Sequence, residues 1–168
     1  LRLGEVAWSN LESYKSLLGV LHGLISNRTS LTWYEPSNGP FLHMHMDQGI
    51  AAKVDRHVMY RCLDVPGALA RLSPEESGEF TIAVDDPFVS ANSKNWTVRF
   101  TPGGVEVGPT SGAASLNADI WAFSQALMGE PSLADLLSMG RVKCNSASDA
   151  MAACRLLAPS STVCTEFF

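Results

Sequence analysis

No stretch of this sequence strings together the roughly 18 consecutive apolar residues that a bilayer-crossing helix needs, so no membrane span is expected. Positive charge is scarce as well. Twelve Lys and Arg stand against 17 Asp and Glu, a formal charge of −5 over 168 residues. A phosphate-tracking surface draws on clustered positive charge, so the balance argues against a nucleic-acid partner. Cysteine is sparse, and Cys62, Cys144, Cys154 and Cys164 contain no Cys-x-x-Cys pair. That excludes a locally encoded zinc knuckle or redox couple, and four thiols are too few for a disulfide scaffold. Thiols packed as small hydrophobes fit a reducing compartment, and the cytoplasm is the expected location. The chain opens on Leu1 with neither a Met nor a charged-then-apolar leader, so no signal peptide is expected in it.

What is present is the composition of a folded globule, with 46% hydrophobic and 17% charged residues. The spacing predicts a helix over residues 10–25, where Leu11, Tyr14, Leu18, Leu21 and Ile25 recur at steps of three and four. Ser9 and Glu12 have capping-box spacing, and Asn27 is the expected stop. Ser30 to Tyr34 reads as a short strand, and Pro36 to Pro40 as a loop. Residues 1–55 thus offer one amphipathic helix and one or two strands. That is too little for a core of its own and reads as the tail of a larger domain.

From His57 short strands and helices alternate. Val58, Tyr60 and Cys62 predict a strand, and Asp64 caps a helix carrying Leu69 and Leu72. Phe80, Ile82 and Val84 share one face of a strand ending at Asp85-Asp86-Pro87. Residues 95–108 predict a hairpin turned by Pro102-Gly103-Gly104. Asp119 starts a helix with Ile120, Phe123 and Leu127 inward and Gly129 at its end. Pro131 begins a brief helix with Leu133, Leu136 and Leu137, closed by Gly140. Ser146 and Asp149 open the last one, with Ala150, Cys154 and Leu157 inward and Pro159 as stop. Strands followed by segregated helices signal an α+β architecture.

Few clusters carry chemistry. His43-Met44-His45-Met46-Asp47 has three potential metal ligands but no marked fourth, so a loop or edge strand with ordinary histidines is expected and no metal. Gly103-Gly104 between two β-patterned runs is a turn, not a phosphate loop. Asp85 and Asp86 read as solvated carboxylates at a strand end. The terminus is unusual, because Thr165-Glu166-Phe167-Phe168 closes the chain on two aromatics. Each is worth roughly 2 kcal/mol when buried and would draw the α-carboxylate into an apolar site. The alternative is a hydrophobic anchor whose carboxylate stays in water.

Met59-Tyr60-Arg61-Cys62-Leu63-Asp64-Val65-Pro66-Gly67-Ala68-Leu69 resembles the Arg-x-x-Asp-Val-x-x-Ala-Leu opening of the sterol-carrier-like C-terminal domain of the Eis (enhanced intracellular survival) acetyltransferases. Residues 119–129, the Leu133 to Gly140 segment and the ending from Pro159 to Phe168 are similar to that domain too. The helix at 10–25 and Leu31-Thr32-Trp33 resemble the close of the family's second GNAT-like domain.

The resemblance implies an α+β fold: a sterol-carrier-like mixed sheet over residues 56–168 with helices on one face. Residues 1–55 would finish a non-catalytic GNAT-like domain. It also implies an N-acetyltransferase that moves an acetyl group from acetyl-CoA to an amine such as a polyamine, aminoglycoside or lysine. The family holds CoA in a Gln/Arg-x-x-Gly-x-Gly/Ala loop. No Gln or Arg of this sequence has glycine three residues later, so no cofactor-binding residue is expected here. The expected partners are an amine substrate, an N-terminal GNAT domain and further copies in a homo-oligomer. In this family the C-terminal carboxylate serves as general base, a role that falls on Phe168. Glu166, Phe167 and Asp64 are then expected on the substrate side. Two other readings of the same fold are a sterol or lipid carrier and an assembly domain without catalytic role.

Overall fold

A computed structural model describes residues 1–3, 6–25, 30–35, 41, 44–45, 51–53 and 59–159. These fall into two compact units, one within residues 1–55 and one within 56–162.

The first unit is built on helix α1, Leu11–Ile25. Its capping box lies one residue beyond the expected Ser9–Glu12 pair. Asn10 Oδ1 accepts from Ser13 N at 2.9 Å, and Ser13 Oγ accepts from Asn10 N at 3.0 Å. Asn caps as well as Ser, and here Ser13 closes the reciprocal bond that Glu12 was expected to make. Tyr14 and Leu21 are buried, whereas Leu11 and Leu24 are exposed, so the inward stripe is narrower than the leucine pattern. The expected strand at 30–34 is reduced to one parallel bridge between Arg2 and Thr32. Thr32 N donates to Leu1 O and Leu3 N to Thr32 O, each at 2.9 Å. Phe41 and Met44 are helical and His45 N donates to Phe41 O at 3.1 Å; the rest of the loop or edge strand expected over 43–47 lies outside the described residues.

The second unit is a five-stranded mixed sheet with helices. The strands are β1 (Gly78–Asp85), β2 (Asn95–Thr101), β3 (Gly104–Pro109), β4 (Leu116–Asp119) and β5 (Val142–Cys144). Their order is β3-β2-β1-β4-β5; β1 and β4 run parallel and the other pairs antiparallel. Alternation sends Phe80, Ile82 and Val84 of β1, and Trp96, Val98 and Phe100 of β2, to one buried face. The helices α2 (Val65–Ala70), α3 (Ile120–Met128), α4 (Leu133–Ser138) and α5 (Ala147–Leu156) join that same core through Val65, Ile120, Leu133 and Ala153.

Local chemistry sets the helix ends. Asp119 Oδ1 accepts from Ala122 N, and Gly129 ends α3 at φ 79°, a left-handed conformation that glycine adopts without steric cost. Ser132 and Asp135 cap α4 reciprocally, so the helix starts after Ser132 and not at Pro131. On α5 the inward row is Ala152, Ala153 and Leu156, with Ala150 and Cys154 only half-buried at its margin. The predicted strand ending at Leu63 is not formed among residues 59–63. Side chains from other elements take its backbone groups instead: Ser124 Oγ accepts from Cys62 N at 2.9 Å, and Asn92 Nδ2 donates to Leu63 O at 3.3 Å.

Candidate functional site

A dense polar constellation among the described residues of the second unit forms where residues 61–65 cross the end of β1. Asp86 follows that strand, and its carboxylate is buried. Oδ1 accepts from Phe88 N at 2.9 Å, from Val89 N at 3.0 Å and from Arg61 Nη2 at 2.5 Å. Oδ2 accepts from Asn92 Nδ2 at 2.9 Å. Asn92, fully buried, also takes Val65 N on its Oδ1 at 3.0 Å, and its carbonyl accepts Trp96 Nε1 at 3.2 Å. Burial pushes the Asp86 carboxyl pKa up. The bonds from Asn92, Phe88, Val89 and Arg61 outweigh that and hold it at about 2. Asp86 is therefore an anchored anion and not the solvated strand-end carboxylate expected from sequence. Asp85, its neighbour, is exposed.

Above this anchor the Arg61 guanidinium lies over two rings, 5.0 Å from the Phe88 centroid and 5.4 Å from that of Trp121. The rings meet edge to face, their centroids 6.1 Å apart. Sequence reasoning missed Asp86, Asn92, Phe88 and Trp121. The one local signal was Asp86-Pro87, a dipeptide that starts turns in which the carboxylate accepts N–H groups two and three residues on.

Of the residues singled out from sequence, Glu166, Phe167 and Phe168 lie outside the described residues, as do His43, Met46 and Asp47. Asp64 is placed as the N-cap of α2, its Oδ1 accepting from Gly67 N at 3.0 Å, and it is exposed. His45 Nε2 lies 3.2 Å from the Tyr14 hydroxyl. Among the described residues, no three His, Cys, Asp or Glu side chains gather where a metal could bind.

Among the described residues, the helix N-termini do not offer the pyrophosphate of CoA a free cradle. A diphosphate needs converging backbone N–H groups, best supplied at a helix N-terminus. In α1 to α5 one such group at each N-terminus is already taken, by the side chain of Asn10, Asp64, Asp119, Ser132 or Ser146. Two of these caps are carboxylates, which would repel an anion. A shallow depression of about 440 Å³ lies on the outer face of the sheet, lined by both signs of charge: Asp85 and Asp119 with Lys94, Arg141 and Lys143.

A family model described as sterol carrier protein domain matches residues 65–165. A GCN5-related N-acetyltransferase from Kribbella flavida matches 99% of this chain at 21% identity with a TM-score of 0.73. Eis1 from Mycobacterium abscessus matches 99% at 20% identity with a TM-score of 0.78. A GCN5-related N-acetyltransferase from Anabaena variabilis matches 99% at 18% identity with a TM-score of 0.86. The chain covers 43% of the length of each of these three, at their C-terminal end. No curated protein sequence matches it. With the model spanning more than half of its residues, the chain belongs to the sterol carrier protein domain family.

Proposed function

We propose that this chain is the C-terminal portion of an Eis-like, acetyl-CoA-dependent N-acetyltransferase, and that it supplies the Phe168 α-carboxylate as general base toward an amine substrate. The observation that carries the reading is the likeness over 99% of the chain to proteins described as N-acetyltransferases, of which it covers 43%. In this reading residues 1–55 finish a second, non-catalytic GNAT-like domain. The parallel bridge of Arg2 with Thr32, with α1 crossing between, supports that assignment. A single parallel bridge with a helix crossing between is a fragment of a sheet, too small to be stable alone.

In this reading acetyl-CoA is held by the part of the enzyme ahead of these residues. This chain's own contribution is proton removal from the substrate ammonium. A free α-carboxylate titrates near ~3.5, and a carboxylate drawn out of water by two aromatic side chains would be raised toward the range a neutral-pH base needs. Glu166 adds negative potential for a cationic amine, and Asp64 is the remaining proposed substrate contact.

The carrier reading would need room between sheet and helices. That space is filled by Phe80, Ile82, Phe123, Leu133 and Leu136, each at most 1% exposed, so a sterol would have to displace the core. The test is acetyl transfer from acetyl-CoA to a polyamine or an aminoglycoside. The 168-residue chain alone is expected to be inactive, and a polypeptide that includes the upstream coding sequence is expected to be active. Transfer by the 168 residues alone, or none by the longer polypeptide, overturns the proposal.

A further inference from the structure

We infer that the exposed aromatic surface around Arg61 is a docking face, and that its occupant is the acyltransferase portion that an enzyme of the relatives' length carries ahead of these residues. The inference rests on the proposed function and adds the place of contact. Phe88 is 74% exposed and Trp121 47%, although both stack on Arg61. Met59, 97% exposed, and Leu63, 69% exposed, stand two residues to either side of Arg61. Leu63 is held to the same anchor through Asn92. Scattered exposed hydrophobes need no explanation, but an Arg packed between an exposed Trp and an exposed Phe, with exposed Met59 and Leu63 two residues away along the chain, has the aromatic-and-arginine centre of an interface hot spot.

The patch is also prepared for burial. Asp86 neutralises Arg61 from beneath, so covering the rings strands no net charge. The segment at its centre is fixed before any partner arrives, because Cys62 N and Leu63 O are bonded to Ser124 and Asn92. Preorganisation of this kind lowers the entropic cost of docking. Relatives of the same fold extend well beyond what this chain covers, so a partner of sufficient size exists in that architecture. A second copy is the alternative occupant, which the dependence on concentration below separates. The surface that fits is apolar, with a carbonyl or carboxylate to accept from the remaining N–H groups of Arg61.

Hydroxyl-radical footprinting read by mass spectrometry tests the inference without any substitution. Oxidation of Met59, Phe88 and Trp121 is compared between the 168-residue chain and the polypeptide that includes the upstream coding sequence. Met139 and Met151, both exposed, serve as controls. At least a five-fold slower oxidation of the three patch residues in the longer polypeptide, with the controls unchanged, is the expected result. Equal oxidation in the two proteins overturns the inference, as does an upstream sequence that encodes no further domain. Protection that appears in the 168-residue chain and grows with its concentration also overturns it, assigning the patch to a second copy. An active longer enzyme with an unprotected patch removes the docking face alone. A protected patch without acetyl transfer leaves the docking face standing and removes the proposed function.

Discussion

Asp86 shows how much one buried carboxylate can organise. It accepts four hydrogen bonds, from Arg61, Phe88, Val89 and Asn92, and so joins the start of the sterol-carrier-like unit to the end of β1. Its folded pKa of about 2 lies below the ordinary 3.8, so the unfolded chain binds this proton more readily. The stability it contributes is present above pH ~4 and is lost as pH falls toward ~2. Urea midpoints measured from pH 5 down to 2 are expected to fall steeply for the native sequence, and less steeply for Asp86→Asn. Equal slopes would show that Asp86 is not held below its ordinary pKa. Asn92 tests the same network without a charge. Asn92→Ala leaves Val65 N and Leu63 O without their partner and is expected to cost about 1–3 kcal/mol, read as a lower urea midpoint at constant m-value. Asp64 needs a paired test. Asp64→Ala removes the α2 cap at a cost of about 1 kcal/mol, and Asp64→Asn keeps it. A KM for the amine that Asp64→Asn leaves unchanged in the longer enzyme would take Asp64 out of the substrate site.

At the scale of elements, what was legible was what is decided locally. The hairpin of β2 and β3 turns at Pro102-Gly103 as its glycines require, and α3 runs from its Asp119 cap to Gly129 as written. β4 and β5 were not foreseen, because four and three residues are too few to show a period of two. Residues 59–63 failed in the other direction. Their alternation is that of a strand, but Ser124 and Asn92, about 60 and 30 residues further on, take the bonds a ladder would have used. No local pattern encodes that. The site was hidden for the same reason, since Asp85 and Asp86 look alike in sequence and differ only in what the fold brings to them. One element-level contact is sharp enough to test. Gly78 pairs with Phe100 across β1 and β2, and a Cβ built on it would lie 2.5 Å from the ring Cζ. Phe100 is buried and has little room to yield. Gly78→Ala is therefore expected to destabilise by about 1–3 kcal/mol, seen as a lower melting temperature. An unchanged melting temperature would mean that the ring moves freely.

At the scale of the whole molecule the two units have different standing. The described residues 59–159 enclose a continuous core, whereas helix α1 of the first unit exposes Leu11, Val20 and Leu24. The chemistry proposed for the protein rests on neither core but on the last residue. If the Phe168 α-carboxylate is the base, deleting Phe168 from the longer enzyme leaves the fold of both units in place and lowers kcat/KM by about 10²–10⁴-fold, the usual loss for a positioned base. A C-terminal tag does comparable damage, because it turns the carboxylate into a neutral amide. Phe168→Leu is far milder, since it keeps the carboxylate and most of the apolar bulk. A terminus that served only as a hydrophobic anchor would order these variants differently. It would tolerate a flexible tag and respond chiefly to side-chain size. The measurement is kcat/KM with the melting temperature for native enzyme, deletion, tagged form and Phe168→Leu. The melting temperature separates lost chemistry from lost folding. Full activity in the tagged enzyme would exclude the carboxylate as the base, and an activity that tracks side-chain volume would leave Phe168 an anchor.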